Sequence, residues 1–285
     1  MADSKKITVL IIGASSYVGA RIYQDFNNSG KFNVIGTYFS HALSEIFPDL
    51  IQLDLRDKIQ VERIINNIKP DIIIHVANHA SGSYLKDHPD GADLNLEASN
   101  NIVNSALNNN IHKAIFISSF AAYSQSDLYG KLKAESELIF QRLPNYVIIR
   151  PSLIIGVSPN DQNDRPSDRI VKNIISNTPA IYDTSWKFEL TYLPHLSEII
   201  QRLALSNEIY NCIIPIVARG ITSRYDIAQE VLSQFEKEAI PENKNAILPI
   251  QEIDFGIYKQ LKLPEITYKE AIADFVKEIK KKYKV

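Results

Sequence analysis

The chain has 285 residues, of which 45% are apolar and 22% charged, a composition typical of globular rather than disordered proteins. Its 31 lysines and arginines nearly balance 33 aspartates and glutamates, so no overall field would attract nucleic acid or an anionic membrane. The single cysteine, Cys212, cannot form an internal disulfide, and the N-terminus lacks an apolar stretch of signal-peptide or membrane-span length. We therefore expect a cytoplasmic protein with one large or two smaller domains.

Short β-branched apolar runs alternate with amphipathic stretches over residues 1–150, the pattern of a parallel sheet covered by helices. The predicted strands are Ile7–Ile12, Asn33–Thr37, Leu50–Leu53, Asp71–Val76, Lys113–Ser118 and Tyr146–Ile149. The predicted helices, whose apolar residues recur three or four apart, are Tyr17–Asn28, Lys58–Ile68, Asp93–Leu107 and Leu128–Leu143. The fold class is thus α/β, with a Rossmann-like, doubly wound parallel sheet.

The pattern changes after Pro151, where a stretch rich in Pro, Asn and Asp (Ser158–Ser167) precedes a helix and short strands. Further helices are predicted near Leu196–Leu205, Ser223–Phe235 and Tyr268–Lys281. We expect a cofactor-binding domain over residues 1–150 and a smaller α/β substrate lobe over residues 151–285. Exchange of a strand or a helix between the two is left open.

A turn with two glycines follows the first predicted strand and precedes a predicted helix. Gly13 would permit a tight turn, Gly19 would let helix and strand pack closely, and the helix N-terminus would attract a pyrophosphate. A glycine turn without a ligand would explain the same residues, and Ser16 stands where a middle glycine is usual. The candidate cofactor contacts in this turn are Gly13, Ser15, Ser16, Tyr17, Val18 and Gly19.

The ends of the next two strands narrow the choice of cofactor. Asp54, followed by Leu55, stands where a carboxylate could accept from an adenine amino group, whereas Asp57 suits a helix N-cap. Residues 36–41 end the second strand without an acidic residue that would hold a ribose 2′-hydroxyl. NADP(H) is therefore favoured over NAD(H), with Ser40 and His41 as candidate contacts of the 2′-phosphate.

Tyr129 and Lys133 are four residues apart in a predicted helix and share one face. A tyrosine near its reference pKa of about 10 exchanges a proton poorly at neutral pH, but a nearby ammonium stabilises the phenolate. The pair would make Tyr129 a usable acid or base, although a surface tyrosine beside a solvated lysine has the same spacing. Ser119 follows a predicted strand at the edge where α/β sheets bind ligands, and could donate to a carbonyl oxygen.

Taken together, these motifs resemble the extended short-chain dehydrogenase/reductases, and within them the dTDP-4-dehydrorhamnose reductase-like branch, over about Ile7 to Phe275. The motifs are Gly13 with Gly19, residues 54–57, residues 69–77, Asn95, Ser118 with Ser119, residues 129–133 and residues 150–152. The resemblance implies a catalytic triad of Ser119, Tyr129 and Lys133, with Lys133 also holding the nicotinamide ribose. It further implies that the cofactor is lined by His75, Val76 and Ala77.

The resemblance implies an NAD(P)H-dependent reductase of a nucleotide-linked keto sugar, with a 4-keto-6-deoxyhexose favoured, in deoxysugar or surface polysaccharide biosynthesis. Ten positions separate Ser119 from Tyr129, fewer than in the substrate-covering loop of such enzymes, which leaves the sugar itself open. One alternative is a sugar-nucleotide epimerase. Another, from a different class, is a non-catalytic, cofactor-binding regulatory subunit. A homodimer is left open.

The second lobe offers the cations expected near a substrate pyrophosphate, at Arg165, Arg169, Lys172 and Arg202, of which we select Arg165 and Arg169. Trp186 either stacks on a base or sugar or fills the lobe interface. His75, His79 and His88 lack the spacing of metal ligands, so they are interpreted as core or loop histidines and no metal is expected.

Overall fold

The computed structural model describes residues 6–77, 91–161, 164–176, 178–246 and 253–285. The strands are β1 (Ile7–Ile12), β2 (Phe32–Tyr38), β3 (Ile51–Gln52), β4 (Ile72–His75), β5 (Lys113–Ile117), β6 (Tyr146–Pro151), β7 (Ile154–Ile155), β8 (Ile181–Asp183), β9 (Lys187–Glu189), β10 (Thr191–Tyr192), β11 (Cys212–Ile216), β12 (Ile221–Ser223) and β13 (Ile240–Glu242). The helices are α1 (Tyr17–Ser29), α2 (Lys58–Ile68), α3 (Gly91–Asn108), α4 (Ala121–Ser124), α5 (Leu128–Phe140), α6 (Pro166–Ile175), α7 (Leu193–Leu205), α8 (Arg224–Ser233), α9 (Gly256–Gln260) and α10 (Tyr268–Tyr283).

Seven strands of the described chain form one sheet in the order β11-β6-β5-β4-β1-β2-β3. β1 pairs in parallel with β2 and β4, and β5 pairs in parallel with β4 and β6. Every residue of β4 and β5 is buried, as expected for parallel strands covered on both faces. The Rossmann-like, doubly wound fold is confirmed, and the six strands predicted before residue 151 correspond to β1–β6.

The chain divides into two compact units, one of Met1–Arg150 with Ile200–Pro215 and the other of Pro151–Ile199 with Ile216–Val285. Residues Ile200–Pro215, called the return segment below, place the end of α7 and most of β11 in the first unit. β11 is not among the strands that the sequence predicts, because Pro215 interrupts its apolar run and proline demotes a strand to the sheet edge. β11 does lie at the edge of the sheet, next to β6.

Lys113, at the start of β5, fixes the end of α7. Its side chain is buried, and Nζ donates to the carbonyl oxygens of Leu203, at 2.9 Å, and Ser206. The last carbonyls of a helix carry partial negative charge and lack partners within the helix. The buried lysine therefore compensates the end of α7 and attaches the return segment to the sheet.

The second unit has its own apolar core and small sheets. β10 pairs with β7 and β13 with β8 in parallel, whereas β12 pairs with β9 in antiparallel. The core includes Leu190, Ala228 and Phe275, each fully buried. No helix among the described residues of the chain is long and apolar enough to cross a membrane.

Candidate active site

Gly13 and Gly19 shape the turn between β1 and α1. Gly13 has a φ of 89°, in the left-handed region that favours glycine, and an added Cβ would lie 2.8 Å from the backbone nitrogen of Ala77. A Cβ on Gly19 would overlap the carbonyl oxygen of Gly13. The N–H of Gly13 donates to Thr37 Oγ1 at 3.2 Å and so ties the turn to the end of β2. Close packing therefore requires glycine at both positions.

Ser16, which stands in place of a middle glycine, is the N-cap of α1. Its φ of −74° suits any residue, and its Oγ accepts a hydrogen bond from the N–H of Gly19 at 3.0 Å. Ser15 lies in the turn, while Tyr17 and Val18 open the helix. The positive end of the α1 dipole thus lies at the turn, and the residues present fit a phosphate-bearing ligand.

Asp54 is held by an arginine of its own loop. Its carboxylate accepts from Arg56 Nε at 2.8 Å and from Nη2 at 2.6 Å, and the guanidinium carbon of Arg56 lies 5.2 Å from the Phe39 ring centroid. Phe39 directly follows β2 and precedes the exposed Ser40 and His41. The fold therefore brings together the two loops to which the sequence assigns the adenosine, with Arg56 in contact with both.

Hydrogen bonds connect the loop after β3 to its neighbours. The carbonyl of Leu55 accepts from Asn101 Nδ2 at 2.9 Å, and the N–H of Asp54 donates to Gln60 Oε1 at 2.7 Å. Asp57 is the N-cap of α2, where its Oδ1 accepts from the N–H of Gln60 at 3.0 Å. The prediction that Asp57 is a helix cap is confirmed.

His75, at the end of β4, lies in the apolar core. Its ring lies nearly parallel to those of Phe116, at 5.5 Å, and Phe140, at 5.6 Å between centroids, and packs beside this stacked pair. Burial, with a smaller contribution from the charge of Lys133, lowers the pKa of His75 to about 3. His75 is therefore a neutral core histidine, as the sequence predicts, while His79 and His88 lie outside the described residues.

Val76 and Ala77 continue from β4 towards the glycine turn. Their N–H groups donate to the carbonyl of Ile12, at 2.9 and 3.2 Å, and Ala77 packs against Gly13. These contacts place all three of the predicted cofactor-lining residues at the carboxyl edge of the sheet, where ligands of open α/β sheets bind.

Tyr129 and Lys133 lie on α5, and Lys133 is 4% exposed. Its Nζ donates to the carbonyl oxygen of Ile117 at 2.8 Å and lies 6.0 Å from the Tyr129 ring centroid. Burial lowers the pKa of Lys133 to about 7, against the opposing effect of the negative charge of Glu137. Tyr129 and Lys133 thus share one face of α5, and Lys133 is buried in the protein rather than exposed to water.

The segment between Ser119 and Tyr129 is compact. Ser119 Oγ accepts from the N–H of Ala121 at 3.2 Å at the start of α4, and Asp127 caps α5 by accepting from the N–H of Gly130 at 2.8 Å. A Cβ on Gly130 would overlap the carbonyl oxygen of Ala121, so α5 begins directly against α4. The short loop is therefore filled by one helical turn, the Ser119 hydrogen bond and the cap at Asp127.

Glu137 has no role in the motifs of the sequence, yet it is buried at the centre of a polar network. Its carboxylate accepts from Arg150 Nε at 2.9 Å and Nη2 at 2.5 Å, and from Ser118 Oγ. The Arg150 guanidinium carbon lies 4.1 Å from the Tyr123 ring centroid. Burial lowers the pKa of Arg150 because it disfavours the charged guanidinium. The hydrogen bonds and the negative charge of Glu137 outweigh burial, so the pKa of Arg150 lies above its ordinary value.

Two of the predicted cations of the second lobe, Arg169 and Lys172, already pair with a carboxylate. Arg165 is the N-cap of α6, where its backbone N–H donates to the Asp168 carboxylate at 3.0 Å. Arg169 Nη2 pairs with Asp164 at 2.7 Å, and the Lys172 amine lies 3.8 Å from the same carboxylate. The placement of Arg202 in the second lobe is wrong: it belongs to the return segment of the first unit, because α7 continues past Ile199.

Trp186 packs on the edge of the second core, with its ring centroid 4.6 Å from that of Phe188. The Arg224 guanidinium carbon lies 5.1 Å from the Trp186 ring centroid. Burial, followed by the charge of Arg169, lowers the pKa of Arg224. Arg224 is a candidate anion ligand that sequence reasoning missed, since it stands 38 positions after Trp186 and only the fold joins them.

Within the residues that the structure describes, no three His, Cys, Asp or Glu side chains form a group that could hold a metal ion.

A glycine turn and a tyrosine–lysine pair at one edge of a doubly wound sheet define a Rossmann-like α/β protein. Residues 9–182 match the NAD dependent epimerase/dehydratase family, and the chain belongs to this family. The resemblance to the extended short-chain dehydrogenase/reductases is thereby confirmed.

Among curated proteins, the chain is similar to methionine adenosyltransferase 2 subunit beta from Bos taurus, with 32% identity over 218 residues. The match covers 69% of this chain and 61% of that protein, less than two thirds of its length. Among solved structures, dTDP-4-dehydrorhamnose reductase from Bacillus anthracis, in complex with NADP, has a TM-score of 0.80 at 17% identity. UDP-glucose 4-epimerase from Thermotoga maritima, with UDP-glucose, has a TM-score of 0.81 at 15% identity. Each structural match covers 97% of this chain and 100% of the other, and shows a shared fold.

Proposed function

We propose that this protein is an NAD(P)H-dependent reductase that acts on the keto group of a nucleotide-linked sugar. The proposal rests on the placement of Lys133, whose amine is buried at the end of β5, bonded to Ile117 and one helical turn from Tyr129. A lysine with a pKa of about 7 changes charge under physiological conditions, whereas a solvated lysine stays protonated. Perturbed ionisable groups of this kind are typical of functional sites.

Tyr129 is the proposed proton donor to the carbonyl oxygen of the substrate. Protonated Lys133 would stabilise the phenolate that remains on Tyr129, which makes the transfer easier. The hydroxyl of Ser119 accepts from the N–H of Ala121, and within the described residues no acceptor takes its proton. Ser119 can therefore donate to the same carbonyl oxygen. A bound nicotinamide cofactor would supply the hydride.

The cofactor is proposed to bind at the carboxyl edge of the sheet, with its pyrophosphate at the turn before α1. Asp54 and Leu55 would meet the adenine, and the segment His75, Val76 and Ala77 would line the cofactor, with His75 contributing its backbone because its ring is buried in the core. We favour NADP(H) because the end of β2 carries Ser40 and His41 and no carboxylate. Arg56 is already paired with Asp54, so the preference rests on those residues rather than on a free arginine.

The substrate is proposed to be a nucleotide-linked 4-keto-6-deoxyhexose, in agreement with the likeness to dTDP-4-dehydrorhamnose reductase. Arg165, Arg169 and Trp186 stay proposed contacts of the nucleotide, and we add Arg224, whose guanidinium lies over the Trp186 ring. An arginine beside an aromatic ring suits a ligand that joins a base to a diphosphate. The cytoplasmic location and the homodimer remain predictions.

The test is consumption of NADPH, followed by absorbance, with a panel of nucleotide-linked 4-keto sugars. We expect oxidation with at least one sugar, and none with that sugar in the Tyr129→Phe variant. No loss of NADPH with any member of the panel would count against the reductase. If the purified protein instead retains NAD in its spectrum and converts sugars without net consumption, the epimerase alternative is correct.

A second candidate, a cofactor-binding regulatory subunit, is favoured by the likeness to methionine adenosyltransferase 2 subunit beta. Such a subunit would bind NADP(H) and a partner enzyme without turnover. The measurement is size-exclusion chromatography of the protein with the methionine adenosyltransferase catalytic subunit of the same organism. Co-elution together with inactivity on the sugar panel would support this candidate, whereas separate elution together with turnover would exclude it.

A further inference from the structure

Three ionisable side chains follow one face of α5 at intervals of four residues: Tyr129, Lys133 and Glu137. The proposed reaction uses the first two and leaves the third without a role. Glu137 is nevertheless 2% exposed, and a carboxylate is buried so completely only when it is paired and hydrogen-bonded. The burial of the Glu137 carboxylate therefore indicates that its charge has a role in the folded protein.

The partners of Glu137 attach α5 to the ends of two strands. Arg150, in β6, binds the carboxylate through Nε and Nη2, and Ser118, directly after β5, donates its hydroxyl. The residue before Ser118 is Ile117, whose carbonyl accepts from the amine of Lys133. The carboxylate and the amine are thus bound to consecutive residues of the same strand end. A rotation of α5 that displaced Lys133 would also have to break the bonds of Glu137.

The charge of Glu137 also acts on Lys133. The ionisable groups that act on or contact the amine are Tyr129 and Glu137 on its own helix and His75 on β4, while Arg150 on β6 is bound to Glu137. His75 is neutral, and the positive charge of Arg150 is held by Glu137 itself. Burial favours the neutral amine, and Glu137 is the neighbouring charge that favours the ammonium.

We infer that Glu137 is a positioning residue that favours the ammonium form of Lys133 and aligns it with Tyr129 at the end of β5. Its importance for turnover rests on the proposed function, since only a reductase or epimerase needs the ammonium beside a tyrosine. Its effect on the amine does not, and it can be measured in the protein without any substrate.

The experiment is an NMR titration of the protein labelled with ¹³C at lysine Cε, with Lys133→Met identifying the signal. In Glu137→Gln we expect the pKa of Lys133 to fall by about one to two pH units, because a unit charge is removed at i+4 in a buried site. Glu137→Asp keeps the charge and should recover most of this fall. Glu135→Gln, an exposed carboxylate on the same helix, is the matched control and should change nothing.

An unchanged Lys133 titration in folded Glu137→Gln would overturn the inference, even if the protein proves to be a reductase. A lowered pKa with no turnover on any substrate would support the inference and contradict the proposed function. With turnover, the alkaline limb of the kcat/KM profile should move to lower pH by the same amount. If Glu137→Gln does not fold, the double variant with Arg150→Met removes both charges, and a smaller fall in the pKa is expected. No fall in that variant would overturn the inference.

Discussion

Each unit contains an arginine bound by two nitrogens to one carboxylate, and the two pairs differ mainly in burial. In the first unit, Arg150 Nη2 lies 2.5 Å from Glu137, with side chains 13% and 3% exposed. In the second unit, Arg169 Nη2 lies 2.7 Å from Asp164, with side chains 57% and 59% exposed. The contact distances are almost equal, so distance alone does not tell the two pairs apart.

Burial changes what each pair does. If Glu137 lost its charge, Arg150 would remain in a site that water barely reaches, and the uncompensated charge would destabilise the fold. If Asp164 lost its charge, water would solvate Arg169 in its place. The first pair therefore fixes α5, which carries Tyr129 and Lys133, while the second leaves its arginine free to exchange partners with a ligand.

The largest expected effect tests whether the chemistry belongs to α5. Replacing Tyr129 by Phe removes the proposed proton donor, and we expect turnover of the identified substrate to fall by about 10²–10⁴-fold. Cofactor binding should stay nearly unchanged, whereas Lys133→Met should weaken both turnover and binding. Steady-state kinetics and a binding titration with NADPH measure the two quantities.

The matched control for this substitution is Tyr146→Phe, which removes a hydroxyl at the start of β6. Because β6 is parallel to β5, its start lies at the end of the sheet opposite to the carboxyl edge. It should leave turnover unchanged. Turnover of Tyr129→Phe near that of the control would show that another group supplies the proton.

The next prediction concerns stability and tests the comparison between the two ion pairs most directly. Glu137→Gln leaves the largely buried Arg150 without a counter-charge, so we expect the free energy of unfolding to fall by about 3–5 kcal/mol. Urea denaturation at pH 7 measures it. Replacing Arg150 by Met in the same chain should restore most of the loss, because the pair is then removed as a whole. A loss below about 1 kcal/mol in the single variant would mean that Arg150 finds another partner or water.

Sequence reasoning succeeds where a residue's role depends on its near neighbours. The turn at Gly13, the cap at Asp57 and the shared face of Tyr129 and Lys133 all follow from local spacing. Glu137 was missed because its burial depends on Arg150, which comes from another strand. The same reason explains why Arg224 was missed, since only the fold brings it to Trp186.

A smaller effect depends on pH and on the core of the first unit. His75 has a pKa of about 3 in the folded protein and about 6.5 when unfolded, so the unfolded chain binds more protons between these values. The contribution of His75 to the free energy of unfolding is therefore fully present above pH 6.5 and is lost as the pH falls towards 3. Between pH 7 and pH 5 the loss from this group is about 2 kcal/mol.

His75→Leu replaces the titratable imidazole by an apolar side chain of similar size. Urea denaturation of both proteins at pH 7 and pH 5 should show a fall in the wild type that exceeds the fall in the variant by about 2 kcal/mol. Parallel falls in the two proteins would place the acid sensitivity in another group.

The smallest expected effect completes the comparison in the second unit. Asp164→Asn removes the counter-charge of Arg169, as Glu137→Gln does for Arg150, but both side chains are more than half exposed. The attraction of Arg169 lowers the pKa of Asp164, and water screens most of its contribution to folding. We expect the free energy of unfolding to change by about 0–1 kcal/mol, and the difference from wild type to shrink further in 0.5 M salt because the charges are solvent-accessible. A loss as large as that of Glu137→Gln would mean that Arg169 is held in the folded state by more than this carboxylate, and would remove burial as the explanation of the contrast.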